Sequence, residues 1–161
     1  MTTYQKKIKT IDQIKQLAET FRSQKKRIVF TNGCFDLLHL GHVRYLTEAK
    51  DKGDVLIVGV NSDQSVKRLK GQNRPITPQD ARCEVLAALT CIDYLTIFDD
   101  DTPLELIEMI HPDVLVKGGD WLPENIVGSE HVSSYGGRVI TIPYLQGFSS
   151  SEIIKKINID G

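Results

Sequence analysis

The sequence has 161 residues, 40% hydrophobic and 25% charged, which is ordinary for one globular domain with its own core. Its 20 Lys and Arg residues nearly balance 21 Asp and Glu residues, which gives a net charge of -1. The chain therefore lacks the overall positive charge that would attract nucleic acid or an anionic membrane. No uncharged apolar run approaches the roughly 18 residues needed to span a bilayer. We expect one domain over residues 1–161, with a leading helix within 1–26 and an α/β core at 27–157.

Hydrophobic periodicity predicts helices and strands that alternate along the chain. Thr77-Pro78 and Thr102-Pro103 each predict a helix with a threonine cap and a proline at the first helical position. The predicted elements are, in chain order, a capped amphipathic helix through Ile11 and Phe21, a strand at 27–33, a helix through Val43 and Leu46, a strand at 55–60, the helix after Thr77, a strand at 94–98, the helix after Thr102, strands at 114–116 and 138–142, and a last helix opened by 149–152.

This alternation predicts a doubly wound, Rossmann-like parallel sheet of about five strands with helices on both faces. Such sheets bind ligands beyond the carboxyl ends of their strands. Three unusual stretches follow predicted strands, namely Gly33 to His42, Lys117 to Trp121 and Gln146 to Ser151. We therefore expect these three loops to converge in space.

The three cysteines, Cys34, Cys83 and Cys91, are an odd number without the spacing of metal ligands. The sequence also shows no apolar leader of the kind found on secreted proteins. We therefore expect reduced thiols and a cytoplasmic location.

Two histidines, His39 and His42, flank Gly41 close to a predicted helix start. Free backbone N–H groups and the positive end of the helix dipole lie there, so the pattern indicates an anion or nucleotide site. A single histidine in this position would more often be a cap or a satisfied polar residue. A metal site of Asp36, His39 and His42 is an alternative, although no other residue clearly completes it. Neither a P-loop motif nor a Gly-x-Gly-x-x-Gly motif after the first strand is present.

Residues 32–42 read Asn-Gly-Cys-Phe-Asp-Leu-Leu-His-Leu-Gly-His and resemble the signature of the cytidylyltransferase-like nucleotidyltransferases. Within that superfamily, further segments resemble the D-glycero-β-D-manno-heptose 1-phosphate adenylyltransferase family. These segments are Val60 to Asp63, Lys67 to Gly71, Arg74-Pro75, Asp101 to Pro103 and Val116 to Trp121. The resemblance extends from about Ile28 to Ile157.

The resemblance implies an adenylyltransferase that joins ATP and heptose 1-phosphate to give ADP-heptose and pyrophosphate, for lipopolysaccharide or surface-glycan synthesis. It also implies Mg²⁺ bound mainly through the ATP phosphates, and a homodimer, with no nucleic-acid or membrane partner. The family's domain is often fused behind a sugar kinase, for which 161 residues leave no room. We therefore expect the heptose kinase on a separate polypeptide.

The resemblance also assigns expected roles to individual residues. The expected catalytic residues are His39, His42 and Lys70. The expected nucleotide contacts are Thr31, Asn32, Gly33, Cys34, Phe35, Gly41, Lys117, Gly118, Asp120, Ser149, Ser150 and Ser151. The expected sugar-phosphate contacts are Asp36, Lys67 and Arg82, and no residue is expected to bind a metal directly.

Structural alternatives remain open for several of these residues. The cluster of Lys67, Arg68 and Lys70 could be a solvated surface, and Arg82 could be a surface arginine. Residues 117–120 could form a glycine turn, and residues 149–152 read first as a capping box. The acidic run 99–101 could be solvated or could bind heptose hydroxyls. Cys34 is not expected to be a nucleophile, because the substrate phosphate attacks.

Two other functions remain alternatives. One is a cytidylyltransferase acting on a polyol or alcohol phosphate such as glycerol 3-phosphate. Related glycerol-phosphate cytidylyltransferases carry an arginine several residues before the serine triplet, whereas this chain has Tyr144-Leu145-Gln146, which weakens that interpretation. The other is a non-catalytic nucleotide-binding module, since a fold and a phosphate site do not establish turnover.

Overall fold

The computed structural model describes residues 1–159, in which strands and helices alternate. The strands are β1 (Ile28–Gly33), β2 (Val55–Asn61), β3 (Tyr94–Phe98), β4 (Val114–Gly118) and β5 (Arg138–Ile142). The helices are α1 (Ile11–Ser23), α2 (Leu40–Lys50), α3 (Asp63–Lys70), α4 (Gln79–Ala87), α5 (Leu104–Ile110), α6 (Ser129–Ser134) and α7 (Ser150–Ile159). Short 3₁₀ turns lie at Gln5–Lys7 and Pro123–Asn125.

The five strands form one parallel sheet in the order β3-β2-β1-β4-β5. The predicted doubly wound sheet is confirmed. From β1 the chain moves outward to β3 and then returns to β4 on the other side of β1. The order therefore reverses between β1 and β4, and loops leaving these two strands diverge around a crevice, as in other doubly wound sheets.

Apolar side chains alternate between the two faces of the sheet, which gives two cores. In β2, Leu56 and Val58 pack into one core, whereas Val55 and Ile57 pack into the other, as the two-residue period of a strand requires. The first core is closed by α2 and α4, and the second by α1, α5 and α6. Each fully buried Leu or Ile contributes about 1.5–3 kcal/mol, so both helical layers hold the sheet.

The N-termini of the predicted helices lie at or within one residue of the positions expected from the sequence. Thr10 caps α1 as predicted, accepting a hydrogen bond from the Gln13 backbone N–H at 3.2 Å. The helices after Thr77 and Thr102 begin one residue later than expected, because Pro78 and Pro103 remain outside the helical conformation. Helices α3 and α6 were not predicted. No helix within residues 1–159 combines the length and apolarity needed to cross a membrane.

Candidate active site

A cavity of about 760 Å³ is lined by residues that follow β1 and β4. The loop after β1, residues 117–118 at the end of β4 and residues 146–151 before and at the start of α7 all line it. The predicted convergence of three loops is therefore confirmed. The cavity brings together most of the residues expected from the sequence, namely Asn32, Gly33, Cys34, Phe35, Asp36, His39, Gly41, His42, Lys70, Lys117, Gly118, Ser149, Ser150 and Ser151.

The two signature histidines form a stacked pair at the start of α2. Their ring centroids are 3.9 Å apart and the rings are inclined by 29°. His39 is the N-cap of α2, and its backbone N–H donates a hydrogen bond to Nδ1 of His42 at 3.3 Å. Because Nδ1 accepts this bond, the neutral His42 ring carries its proton on Nε2.

Burial favours the neutral form of both histidines. Burial lowers the pKa of His42 to about 4, with smaller contributions from His39 and Lys70. Burial also lowers the pKa of His39, although Glu152 opposes the shift. At neutral pH the pair therefore supplies hydrogen-bond donors, and positive charge at the cavity comes from its lysines, Lys70 and Lys117, and from helix N-termini.

Two glycines of the signature loop make room for aromatic rings. A Cβ on Gly41 would lie 2.9 Å from Cε1 and from Nδ1 of His39. A Cβ on Gly33 would lie 3.0 Å from the ring of Phe35, which in turn meets the His42 ring edge-on at 5.4 Å. The lack of a Cβ at Gly41 therefore leaves the space that the His39 ring occupies, and the lack of one at Gly33 leaves space for the Phe35 ring.

Asp36 lies in the cavity wall with its carboxylate directed at protein groups. It accepts hydrogen bonds from Nε of Arg74 at 2.6 Å and from the backbone N–H groups of Ile76 and Thr77, each at 2.9 Å. Burial alone raises the pKa of Asp36, but these bonds bring it below its usual value. Asp36 was expected to contact sugar phosphate. In this geometry its oxygens orient Arg74, which belongs to a segment that carries the family resemblance but for which no role was predicted.

Arg82 lies outside the cavity, which changes its expected role. Its guanidinium is fully buried and donates to Asp63 at 2.9 Å, to the Thr77 carbonyl at 3.0 Å and to the Cys34 carbonyl. These three partners occupy the donors that a sugar phosphate would need. The geometry does not support the expected sugar-phosphate contact, and instead Arg82 joins the signature loop to α3 and to the segment before α4.

Three other expected contacts also lie outside the cavity lining. Thr31 is fully buried, and its hydroxyl shares a 2.5 Å hydrogen bond with the hydroxyl of Tyr45. Asp120 is exposed beyond the end of β4, and Lys67 lies on α3. Roles for these residues in ligand binding stay predictions.

The backbone after β4 is covered by an aromatic ring. A Cβ on Gly119, whose φ is +107°, would lie 2.8 Å from the ring of Tyr144, and one on Gly118 would lie 3.1 Å from it. Tyr144 itself is 72% exposed. Burial lowers the pKa of the neighbouring Lys117. Tyr144 was noted in the sequence only for the arginine it replaces, and the structure adds it to the cavity wall.

The start of α7 provides a second helix N-terminus at the cavity. The Ser149 hydroxyl accepts from the Glu152 backbone N–H at 3.0 Å, and the Ser150 hydroxyl donates to the Leu37 carbonyl at 2.9 Å. Ser149 thus acts as the predicted cap, while Ser150 ties α7 to the signature loop. Two helix N-termini facing one cavity favour an anionic ligand.

The alternative metal site is not supported by the described residues. Within residues 1–159, no group of three or more His, Cys, Asp or Glu side chains is arranged to hold a metal. His42 Nδ1 accepts a backbone hydrogen bond and Asp36 faces Arg74, so neither is directed at a common ion.

Residues 30–156 match the cytidylyltransferase-like family. The chain is 56% identical over 151 residues to the bifunctional protein HldE of Geobacter metallireducens and 54% identical to that of Geotalea uraniireducens. Each match covers 94% of this chain but 31% of the relative, so the chain spans about a third of the length of these curated relatives.

Two solved structures share the architecture. The lipopolysaccharide core biosynthesis protein of Thermoplasma volcanium is 28% identical with a TM-score of 0.59, and the match covers 74% of this chain and 97% of that one. The pantoate-β-alanine ligase of Francisella tularensis is 18% identical with a TM-score of 0.62, and the match covers 94% of this chain and 77% of that one. The second likeness shows the fold alone. The parallel sheet and the stacked histidine pair are consistent with the family match. The chain belongs to the cytidylyltransferase-like family of nucleotidyltransferases.

Proposed function

We propose that this chain transfers AMP from ATP to D-glycero-β-D-manno-heptose 1-phosphate, giving ADP-heptose and pyrophosphate for lipopolysaccharide or surface-glycan synthesis. The observation that carries the proposal is the neutral His39–His42 pair at a helix start in the cavity wall. The identity to the HldE proteins and the likeness to a lipopolysaccharide core biosynthesis protein support the choice of substrate. The proposal concerns this chain and not the full length of those relatives.

The reaction needs positioning more than activation. A phosphate oxygen of the heptose 1-phosphate attacks the α-phosphorus of ATP, a new P–O bond forms, and the bond to the leaving pyrophosphate breaks. The acceptor is already an anion, so no protein nucleophile is required. Negative charge grows on the α-phosphate oxygens and on pyrophosphate, so fixed donors at those atoms lower the barrier. His39 and His42 would supply such donors to the α-phosphate.

Positive charge would come from lysines and helix ends at the cavity. Lys70 and Lys117 both line it, and we propose that they hold the phosphates of the two substrates. The start of α7, whose first turn includes the exposed Ser151, would meet the triphosphate through backbone N–H groups. The 117–119 backbone, together with the Tyr144 ring that covers Gly118 and Gly119, would border the adenine.

We propose that Mg²⁺ enters with ATP. Two of the three carboxylates in the cavity wall, Asp36 and Asp101, fit a protein cage poorly, since Asp36 is occupied by Arg74 and Asp101 by Arg68, which leaves Glu152. They do fit an ion held mainly by phosphate oxygens, because protein-bound Mg²⁺ usually keeps several waters. Such an ion supplies charge neutralisation to the triphosphate.

The remaining expectations are also proposals. We propose that residues 27–157 form the catalytic core and that the protein works as a homodimer. Its acceptor would be supplied by a kinase that phosphorylates the anomeric position of the heptose.

The test is a pyrophosphate-release assay with wild-type protein, crossing ATP and CTP with heptose 1-phosphate and glycerol 3-phosphate, followed by mass identification of the product. We expect turnover with ATP and heptose 1-phosphate and a product with the mass of ADP-heptose. Preference for CTP and glycerol 3-phosphate would replace the substrate assignment. Tight nucleotide binding without pyrophosphate release would favour a binding module.

A further inference from the structure

Arg74 lines the cavity and has one guanidinium edge, at Nη2, without a hydrogen-bond partner among the described residues. Its Nε donates to Asp36 at 2.6 Å, and the side chain is 15% exposed. Its Nη2 is buried yet has no hydrogen-bond partner among the described residues. An unpaired buried guanidinium nitrogen costs free energy, so this edge is better explained by a missing ligand than by packing.

The surroundings of Arg74 select an anion. Among the described residues, Asp36 accepts from one of the five N–H donors of Arg74, and that carboxylate is itself fixed by the backbone N–H groups of Ile76 and Thr77. The free edge carries donors in the fork geometry that matches phosphate. Lys70 and His42 line the same cavity, so an anion held by Arg74 would share the space in which the reaction occurs.

We propose that Arg74 binds the phosphate of the sugar 1-phosphate acceptor, with Asp36 as the residue that positions its guanidinium. The inference rests on the proposed function for the identity of the sugar, but its chemistry requires only a phosphomonoester. It transfers the sugar-phosphate role expected of Arg82 and Asp36 to a residue whose Nη2 has no partner within residues 1–159. Arg82 instead donates its hydrogen bonds to two protein carbonyls and to Asp63.

The test compares Arg74→Lys and Arg74→Gln with the wild type. Lysine keeps the charge and loses the fork, whereas glutamine loses both. Hydrogen bonds to charged groups are worth enough that we expect kcat/KM for heptose 1-phosphate to fall about 10- to 100-fold in Arg74→Gln, and less in Arg74→Lys. The KM for ATP should stay within about twofold. Arg44→Gln on the exposed side of α2, away from the cavity lining, is the matched arginine control.

A binding measurement separates this role from a purely structural one. Calorimetry with heptose 1-phosphate, in the presence of a non-hydrolysable ATP analogue, should show weakened binding in both Arg74 variants. A titration of ¹⁵N-labelled wild-type protein should shift the Arg74 guanidinium resonances with heptose 1-phosphate but not with free heptose. This second experiment does not depend on the variants folding.

The outcomes distinguish this inference from the proposed function. Unchanged acceptor affinity in Arg74→Gln, or an equal loss of affinity for ATP, would overturn the role of Arg74. If the wild type instead uses glycerol 3-phosphate and the Arg74 variants lose affinity for it, the heptose assignment fails and the phosphate site stands. Guanidinium resonances that no phosphomonoester shifts would also overturn the inference.

Discussion

The imidazole of His39 stacks on that of His42, and the backbone N–H of His39 donates to Nδ1 of His42 at 3.3 Å. Protonation of His42 at Nδ1 would place one N–H against another and would break this bond. The pair is therefore organised for the neutral form, in agreement with the lowered pKa values of both rings.

This arrangement predicts a pH-dependent stability. His42 has a pKa of about 4 in the folded protein against about 6.5 in an unfolded chain. Between these values the unfolded state binds more protons, so the free energy of unfolding falls as pH is lowered from about 6.5 towards 4. We expect Tm to fall in this window and to fall less in His42→Gln. Superimposable Tm profiles would contradict the assignment.

His39 and His111 add to the same trend, because burial lowers their pKa values as well. His111→Gln, at the end of α5 and away from the cavity, therefore serves as the control. It should remove its own share of the pH dependence and leave catalysis unchanged.

We predict that Gly41→Ala lowers the catalytic rate without unfolding the protein. In Gly41→Ala the new Cβ would lie 2.9 Å from the His39 ring, and the ring would have to shift. A displacement of about 1 Å can cost about 100-fold in rate, so we expect kcat to fall by about that factor while Tm changes little. Gly136→Ala is a useful contrast, since its φ of +84° makes alanine strained but its position is remote from the cavity. It should lower Tm and leave kcat unchanged.

Cys34 lines the cavity but has no role as a nucleophile in this mechanism. Cys34→Ala should keep kcat within about threefold of wild type, since attack on the α-phosphorus comes from the substrate phosphate. Steady-state kinetics would check this, with Cys83→Ala as the buried-thiol control. A fall in kcat of about 100-fold or more in Cys34→Ala alone would point to a covalent step.

We predict that Arg82→Met lowers the free energy of unfolding and does not act through acceptor binding. Arg82→Met removes the partner of Asp63 and leaves the Cys34 and Thr77 carbonyls without a donor. Breaking a buried pair from one side costs about 3–5 kcal/mol, and the partial exposure of Asp63 argues for the lower end. Urea unfolding should show this loss. A rise in the KM for the acceptor at unchanged stability would instead restore the sugar-phosphate role.

Local patterns predicted the parts of the site that are contiguous in sequence. Gly41 and the two histidines lie on one loop and one helix turn, so their spacing alone indicated an anion site. The sheet could also be predicted, because β2 is an unbroken apolar run, as expected of a strand buried on both faces, and the helices show apolar stripes with a helical period. The family resemblance then supplied the chemistry that the spacing could not.

The partners of Asp36, Arg74 and Arg82 could not be predicted from the sequence, because they are contacts between residues far apart along the chain. Asp36 and Arg74 are 38 residues apart, and Arg82 is 48 residues from the Cys34 carbonyl it contacts. No periodicity reveals such partners, so the sequence did not distinguish Arg74, which has an unpartnered Nη2 among the described residues, from Arg82, each of whose three nitrogens donates to a protein group. Helix α3 does have a local sequence signal, since Ser62 is a favoured N-cap residue and accepts a hydrogen bond from the Ser65 backbone N–H.

The most direct test of the account is the turnover of His39→Ala and His42→Ala with ATP and heptose 1-phosphate, measured beside their Tm values. Removing a donor from a developing charge costs about 100- to 1,000-fold in kcat, and we predict a loss of that size in each variant with the fold retained. Turnover within about threefold of wild type in either folded variant would contradict the central role of the histidine pair.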